Sequence, residues 1–104
     1  LRLEPVANRV VVGPRAQAAA RSLHAHAVAM IDGSWPNAPL TIEAMVRYRG
    51  ALAPAAVTFG PAGSGEATVV FDGDGPIASP GQAVVFYRDD DVLGGGTIGE
   101  VETG

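Results

Sequence analysis

The clearest periodic signal in the chain lies between Leu40 and Arg49, where Leu40, Ile42, Ala44, Val46 and Tyr48 alternate with Thr41, Glu43, Met45, Arg47 and Arg49. A period of two sends successive side chains to opposite faces, so this stretch is expected to be a half-buried strand with its arginines outward. Two further alternations, Ala55-Val57-Phe59 and Ala67-Val69-Phe71, flank the turn-forming stretch Gly60 to Gly65 and predict a hairpin. Gln82 to Tyr87 reads as another strand, the acidic turn Asp89 to Asp91 follows, and Val92 to Ile98 closes the pattern across three glycines.

The remaining segments are less regular. Arg2 to Val6 and Arg9 to Gly13 predict an N-terminal hairpin, with Pro5, Ala7 and Asn8 supplying the reversal and Val10-Val11-Val12 the β-propensity. The alanines from Pro14 to Arg21 permit a helical turn or two, but no amphipathic stripe supports a long helix. Ser22 to Ile31 is open between the end of that helix and a strand. Gly33 to Pro39 is a loop, Asp72 to Pro76 a turn, Ile77 the start of a short strand, and Pro80-Gly81 another turn. The expected core comprises Val11, Ile42, Val46, Val57, Phe59, Val69, Phe71, Val84 and Phe86.

Six to eight short strands separated by frequent turns describe an all-β domain, a small antiparallel barrel or sandwich. The length of 104 residues fits one domain spanning 1–104. Glycine and proline are abundant, at 14 and 8 residues, yet 47% of the chain is hydrophobic, too much for a disordered linker. No apolar run reaches the length of a membrane span. The start at Leu1, without methionine or a signal-peptide pattern, reads as a piece of a longer chain.

Charge narrows the possibilities. The net charge of −4 argues against a free-standing nucleic-acid binder, because phosphates reward basic surfaces. Its distribution is uneven, however: residues 1–60 hold six arginines against three acids, and residues 61–104 hold one arginine against eight acids. A polyanion is therefore expected to meet the first part of the chain. The absence of cysteine excludes a disulfide framework, a thiolate metal site, a persulfide and a cysteine nucleophile from these residues.

Few motifs carry chemistry. His24 and His26 stand two residues apart, which on a strand would put both on one face, but no third metal ligand accompanies them. Asp72-Gly73-Asp74-Gly75 and Asp89-Asp90-Asp91 lack the ligand spacing of a calcium loop and read as turns. Gly94-Gly95-Gly96 lacks the Gly-Lys-Ser/Thr ending of a phosphate-binding loop, so these glycines are expected to permit a bulge or the close approach of a neighbouring strand. No serine sits in a nucleophile elbow. No catalytic, cofactor-binding or metal-binding residue emerges. Arg47-Tyr48-Arg49 differs, since two guanidiniums with an aromatic between them can pair phosphates and stack on bases. The same pattern also suits a solvated edge strand protected by its charges.

Asn8-Arg9-Val10-Val11-Val12-Gly13-Pro14, Val46-Arg47-Tyr48-Arg49, Ser79-Pro80-Gly81-Gln82-Ala83-Val84-Val85-Phe86-Tyr87 and Val92-Leu93-Gly94-Gly95-Gly96-Thr97-Ile98 occur in the order found in the C-terminal region of the tRNA-specific 2-thiouridylases. The chain resembles that region over nearly its whole length. It departs from the family at Gly50, where the arginine strand usually continues with glutamine, and over Arg15 to Trp35. The resemblance implies a β-barrel similar to the second domain of elongation factor Tu, within a cytoplasmic enzyme that uses ATP and a cysteine persulfide to thiolate the wobble uridine of tRNA. It implies tRNA, the enzyme's own catalytic domains and a sulfur-donor protein as partners, and no membrane. ATP would belong to an N-terminal domain whose Ser-Gly-Gly-x-Asp-Ser loop and two cysteines have no counterpart here. The family has also carried a methyltransferase name, but nothing here suggests a methyl-donor site. By the same resemblance Arg47, Tyr48 and Gln82 are expected to touch tRNA. The alternative is a scaffold domain that packs against the catalytic domains with no direct RNA role. Alternation places Tyr48 opposite Arg47, so both reach one ligand only near a strand end or bulge.

Overall fold

The computed structural model describes residues 19–46 and 51–103. Six strands follow one another: β1 (Ala20–Met30), β2 (Leu40–Met45), β3 (Ala53–Phe59), β4 (Ala67–Phe71), β5 (Ala83–Arg88) and β6 (Asp91–Thr103). They close an antiparallel barrel in the order β1-β4-β3-β2-β5-β6, with β6 returning to β1. Closure leaves none of these strands with a free edge, which removes the template for aggregation that an open sheet presents.

The alternations predicted from sequence fill the interior. Ile42 and Ala44 of β2, Ala55 and Val57 of β3, Ala67, Val69 and Phe71 of β4, and Val84 and Phe86 of β5 are buried. Phe59 is only partly buried, because it lies at the rim and packs against the core from there. The expected Val11 and both strands of the N-terminal hairpin lie outside the described residues. Pro54 is tolerated within β3 because it occupies the last rung beside β4: its carbonyl accepts from Asp72 N–H at 3.0 Å, and the missing N–H forfeits only one bond.

Three local readings change. The ambiguous segment from Ser22 onward is strand β1, which begins at Ala20 within the alanine-rich stretch where a helical turn was expected. Its Leu23, Ala25 and Val28 add to the core. The alternation breaks where Ala27 adopts a left-handed φ of 53° and the β1–β6 register slips between His26 and Ala29. Ile77 starts no strand; it lies in an irregular segment that covers one barrel end, where Ala20 N–H donates to Pro76 O and Gly75 N–H to Ala20 O, both at 2.9 Å. The last strand runs on past Ile98 to Thr103 and pairs with β1.

The opposite end is closed by aromatics. The loop after β1 folds Trp35 over Phe59, ring centroids 5.1 Å apart, and Phe59 meets Phe86 edge-on at 6.4 Å inside the barrel. Trp35 Nε1–H donates to Gly60 O at 2.9 Å, so the indole is both packed and satisfied.

Candidate nucleic-acid interface

Gln82 sits at the mouth of β5, immediately after a turn. Gln82 N–H donates to Ser79 O at 3.2 Å and Gly81 has a φ of 91°. With Pro80 ahead of that glycine, these are the marks of a type II turn, whose third position needs a left-handed residue. The turn is fastened to β6 by Gly81 N–H to Ile98 O at 2.7 Å and Ile98 N–H to Gln82 O at 2.8 Å. Gln82's side chain also folds back: its Oε1 accepts from Ser79 N–H at 2.9 Å. Sequence reasoning had not anticipated Ser79 as this partner, although the Ser-Pro-Gly-Gln turn signature was available.

β2 leads toward the same end of the barrel. Ala44 pairs with Phe86 and Met45 with Val85, so β2 runs out beside the beginning of β5, three residues from Gln82. Val46 is buried at 4% exposure and anchors the strand's exit. Arg47, Tyr48 and Arg49, which follow directly in sequence, lie outside the described residues. The chain is described again from Ala51, ahead of β3.

Two arginines are among the described residues. Arg88 reaches Thr41 O at 3.4 Å near the aromatic end. Arg21 lines an open groove of about 640 Å³ with Ser22, Val70, Phe71, Glu102 and Thr103. That groove runs over β1, three strands from β2 around the ring, and its arginine is accompanied by a carboxylate. It therefore offers no basic track next to Gln82.

The alternative motifs resolve into local structure. His24 Nε2 lies 3.4 Å from Glu66 Oε1 on the outer wall, and among the described residues no cluster of three or more ligating side chains could hold a metal ion. Gly94, Gly95 and Gly96 sit where β6 passes between β1 and β5. A Cβ on Gly94 would collide with Ala29 O, one on Gly95 with Val84 O, and one on Gly96 would stand 2.7 Å from Val28 Cγ2. The triple glycine thus serves strand approach. The acidic turn is the two-residue connection between Arg88 and Asp91, with Asp89 at a φ of 56°. No helix among the described residues is long and apolar enough to cross a membrane.

Residues 20–98 match the family described as the aminomethyltransferase β-barrel domain. The chain is also similar to proteins named tRNA-specific 2-thiouridylase MnmA. The Roseiflexus sp. protein is 41% identical over 96 residues, covering 92% of this chain and 25% of the relative. The Heliobacterium modesticaldum protein is 42% identical over 92 residues, covering 88% of this chain and 23% of the relative. The Synechococcus sp. protein (strain CC9902) is 39% identical over 106 residues, covering 94% and 27%. The chain thus spans about a quarter of the length of these curated relatives. A closed six-stranded barrel and a family match that runs from β1 into β6 lead to one conclusion: the chain belongs to the aminomethyltransferase β-barrel domain family, as the C-terminal barrel of the tRNA-specific 2-thiouridylases.

Proposed function

We propose that this barrel binds and positions tRNA within an enzyme that transfers sulfur to the wobble uridine. In this reading catalysis belongs to other parts of the longer enzyme. This chain has no cysteine to carry a persulfide and no Gly-Lys-Ser/Thr loop to hold a nucleotide. ATP and the sulfur-donor protein are assigned to the rest of the enzyme, which acts in the cytoplasm. Arg47 pairs with backbone phosphates, Tyr48 supplies a stacking surface, and Gln82 contributes a hydrogen bond. The observation that carries this reading is the pairing of Met45 with Val85, which ends β2 beside the start of β5, the strand that Gln82 opens.

A second reading, a scaffold packed against the catalytic domains, draws on a different face. β3 and β4 contain no charged residue. Their outward side is Pro54, Ala56, Thr58, Thr68 and Val70, with Val70 51% exposed. Cross-linking tRNA to the full-length enzyme and mapping the adducts separates the two. Adducts on peptides containing Arg47 or Gln82 are the expected result, whereas adducts confined to the other domains would leave the barrel as scaffold.

A further inference from the structure

Three aspartate-glycine pairs lie among the described residues: Asp32-Gly33, Asp72-Gly73 and Asp74-Gly75. In such a pair the glycine nitrogen can attack the carboxyl carbon of the aspartate side chain, because no Cβ on the glycine obstructs the approach. The fold restrains two of the three. Gly33 N–H donates to Met30 O at 3.0 Å while Asp32 Oδ1 accepts from Ser34 N–H at 2.9 Å, so nucleophile and electrophile are both engaged. Gly75 N–H donates to Ala20 O at 2.9 Å, and a Cβ on Gly75 would run into Ala20 O and the Phe71 ring, so that glycine is packed as well as bonded. Asp72-Gly73 is different. Both residues are exposed, no acceptor among the described residues meets Gly73 N–H, and a Cβ built on Gly73 would meet nothing within 4 Å.

From this contrast we infer that Asp72 is a site of backbone isomerisation, a self-modification that the turn after β4 leaves open and the other two turns suppress. The inference is independent of the tRNA-binding reading. Gly73 N forms a bond to the Asp72 side-chain carboxyl carbon and gives up its proton, and a carboxyl oxygen leaves as water, closing a cyclic imide. Water then opens the ring at either carbonyl. Opening at the former main-chain carbonyl routes the backbone through the side chain, giving isoaspartate with no net change in mass. That product places an extra methylene between β4 and the segment at Gly75 and Pro76, whose bonds to Ala20 N–H and Ala20 O hold the start of β1. Isomerisation therefore loosens the barrel end at which β1 begins.

Ageing the folded 104-residue chain in heavy-oxygen water at neutral pH tests this, since each passage through the imide replaces one aspartate oxygen with one from solvent. Peptide fragmentation reads the uptake at each aspartate separately. Heavy oxygen should enter Asp72 about five- to tenfold faster than Asp32 or Asp74, the factor that one protecting hydrogen bond supplies, and the three rates should converge in guanidinium chloride. Asp72→Glu keeps the charge but must close a larger, slower ring, so it should abolish both the uptake and the isoaspartate at this position. The urea midpoint, followed by the sole tryptophan, Trp35, should fall as isoaspartate accumulates at Asp72 and should hold in Asp72→Glu through the same ageing. Equal uptake at the three aspartates of the folded chain, or faster uptake at Asp32 or Asp74, would overturn the assignment. A midpoint that stays constant as isoaspartate accumulates, or that falls equally in Asp72→Glu, would overturn the link to the start of β1.

Discussion

Gly95 shows how one missing carbon sustains the barrel. It pairs with Val85 on one side and Ala29 on the other, and a Cβ there would run into Val84 O, a backbone atom that cannot step aside. Gly95→Ala should therefore cost about 1–3 kcal/mol by forcing the strands apart, seen as a lower urea midpoint in Trp35 fluorescence. Ala27 is the converse case. Its φ of 53° burdens a side chain that has no polar group to compensate, and Gly65, whose own Cβ would stand 3.7 Å from Ala27 N, leaves the backbone accessible but not crowded. Glycine adopts that conformation freely, so Ala27→Gly should stabilise the chain by about 0.5–1 kcal/mol, a sign opposite to that expected for Ala→Gly elsewhere in a strand. A destabilised Ala27→Gly variant in the same urea titration would show that the left-handed turn in β1 carries no strain.

At the scale of elements, legibility depended on unbroken alternation. β2 to β5 keep strict period two, and their buried residues match the sequence pattern from Ile42 to Phe86. β1 was ambiguous because alanines and two histidines give little hydrophobic contrast, and because the shift after His26 puts Val28 inward out of phase. β6 was cut short at Ile98 because glycines and acidic residues mask its length, although its pairing with β1 extends to Thr103. Ile77 was misread because an apolar residue between turns resembles a strand start, whereas the backbone there bonds to Ala20 instead. The site divided similarly. The Arg-Tyr-Arg motif was visible in the letters, but the orientation of the Gln82 amide emerges only from its turn.

The loop joining β1 to β2 carries a prediction of its own. Asp32 Oδ1 accepts from Ser34 N–H at 2.9 Å, and Ser34's side chain and backbone hold the carboxyl below its ordinary value of 3.8. A lowered carboxyl pKa stabilises the fold above the unfolded value and ceases to do so as pH falls through the folded one. A stability advantage over Asp32→Asn should therefore be present at neutral pH and be lost as acid titrates the carboxyl through its lowered pKa, followed by urea titration from neutral pH into acid. The group is fully exposed, so salt should also reduce the difference. An advantage that persists unchanged into acid would mean that the ionised carboxylate is not the stabilising form.

On the scale of the whole molecule, a net charge of −4 sets what this barrel can do alone. Its basic residues are concentrated before residue 61 and its acids after it, so the second part of the sequence repels phosphate. The 104-residue chain by itself should neither hydrolyse ATP nor form 2-thiouridine when incubated with tRNA, ATP and a sulfur donor, and its affinity for tRNA should be poor. The most direct test of the central claim is tRNA affinity as a function of salt in the full-length enzyme carrying Arg47→Ala. The account predicts binding weaker by about 1–3 kcal/mol and a salt slope shallower by roughly one unit, with the melting profile unchanged and only partial recovery in Arg47→Lys. Unchanged affinity together with an unchanged salt slope would contradict it and leave the barrel a scaffold.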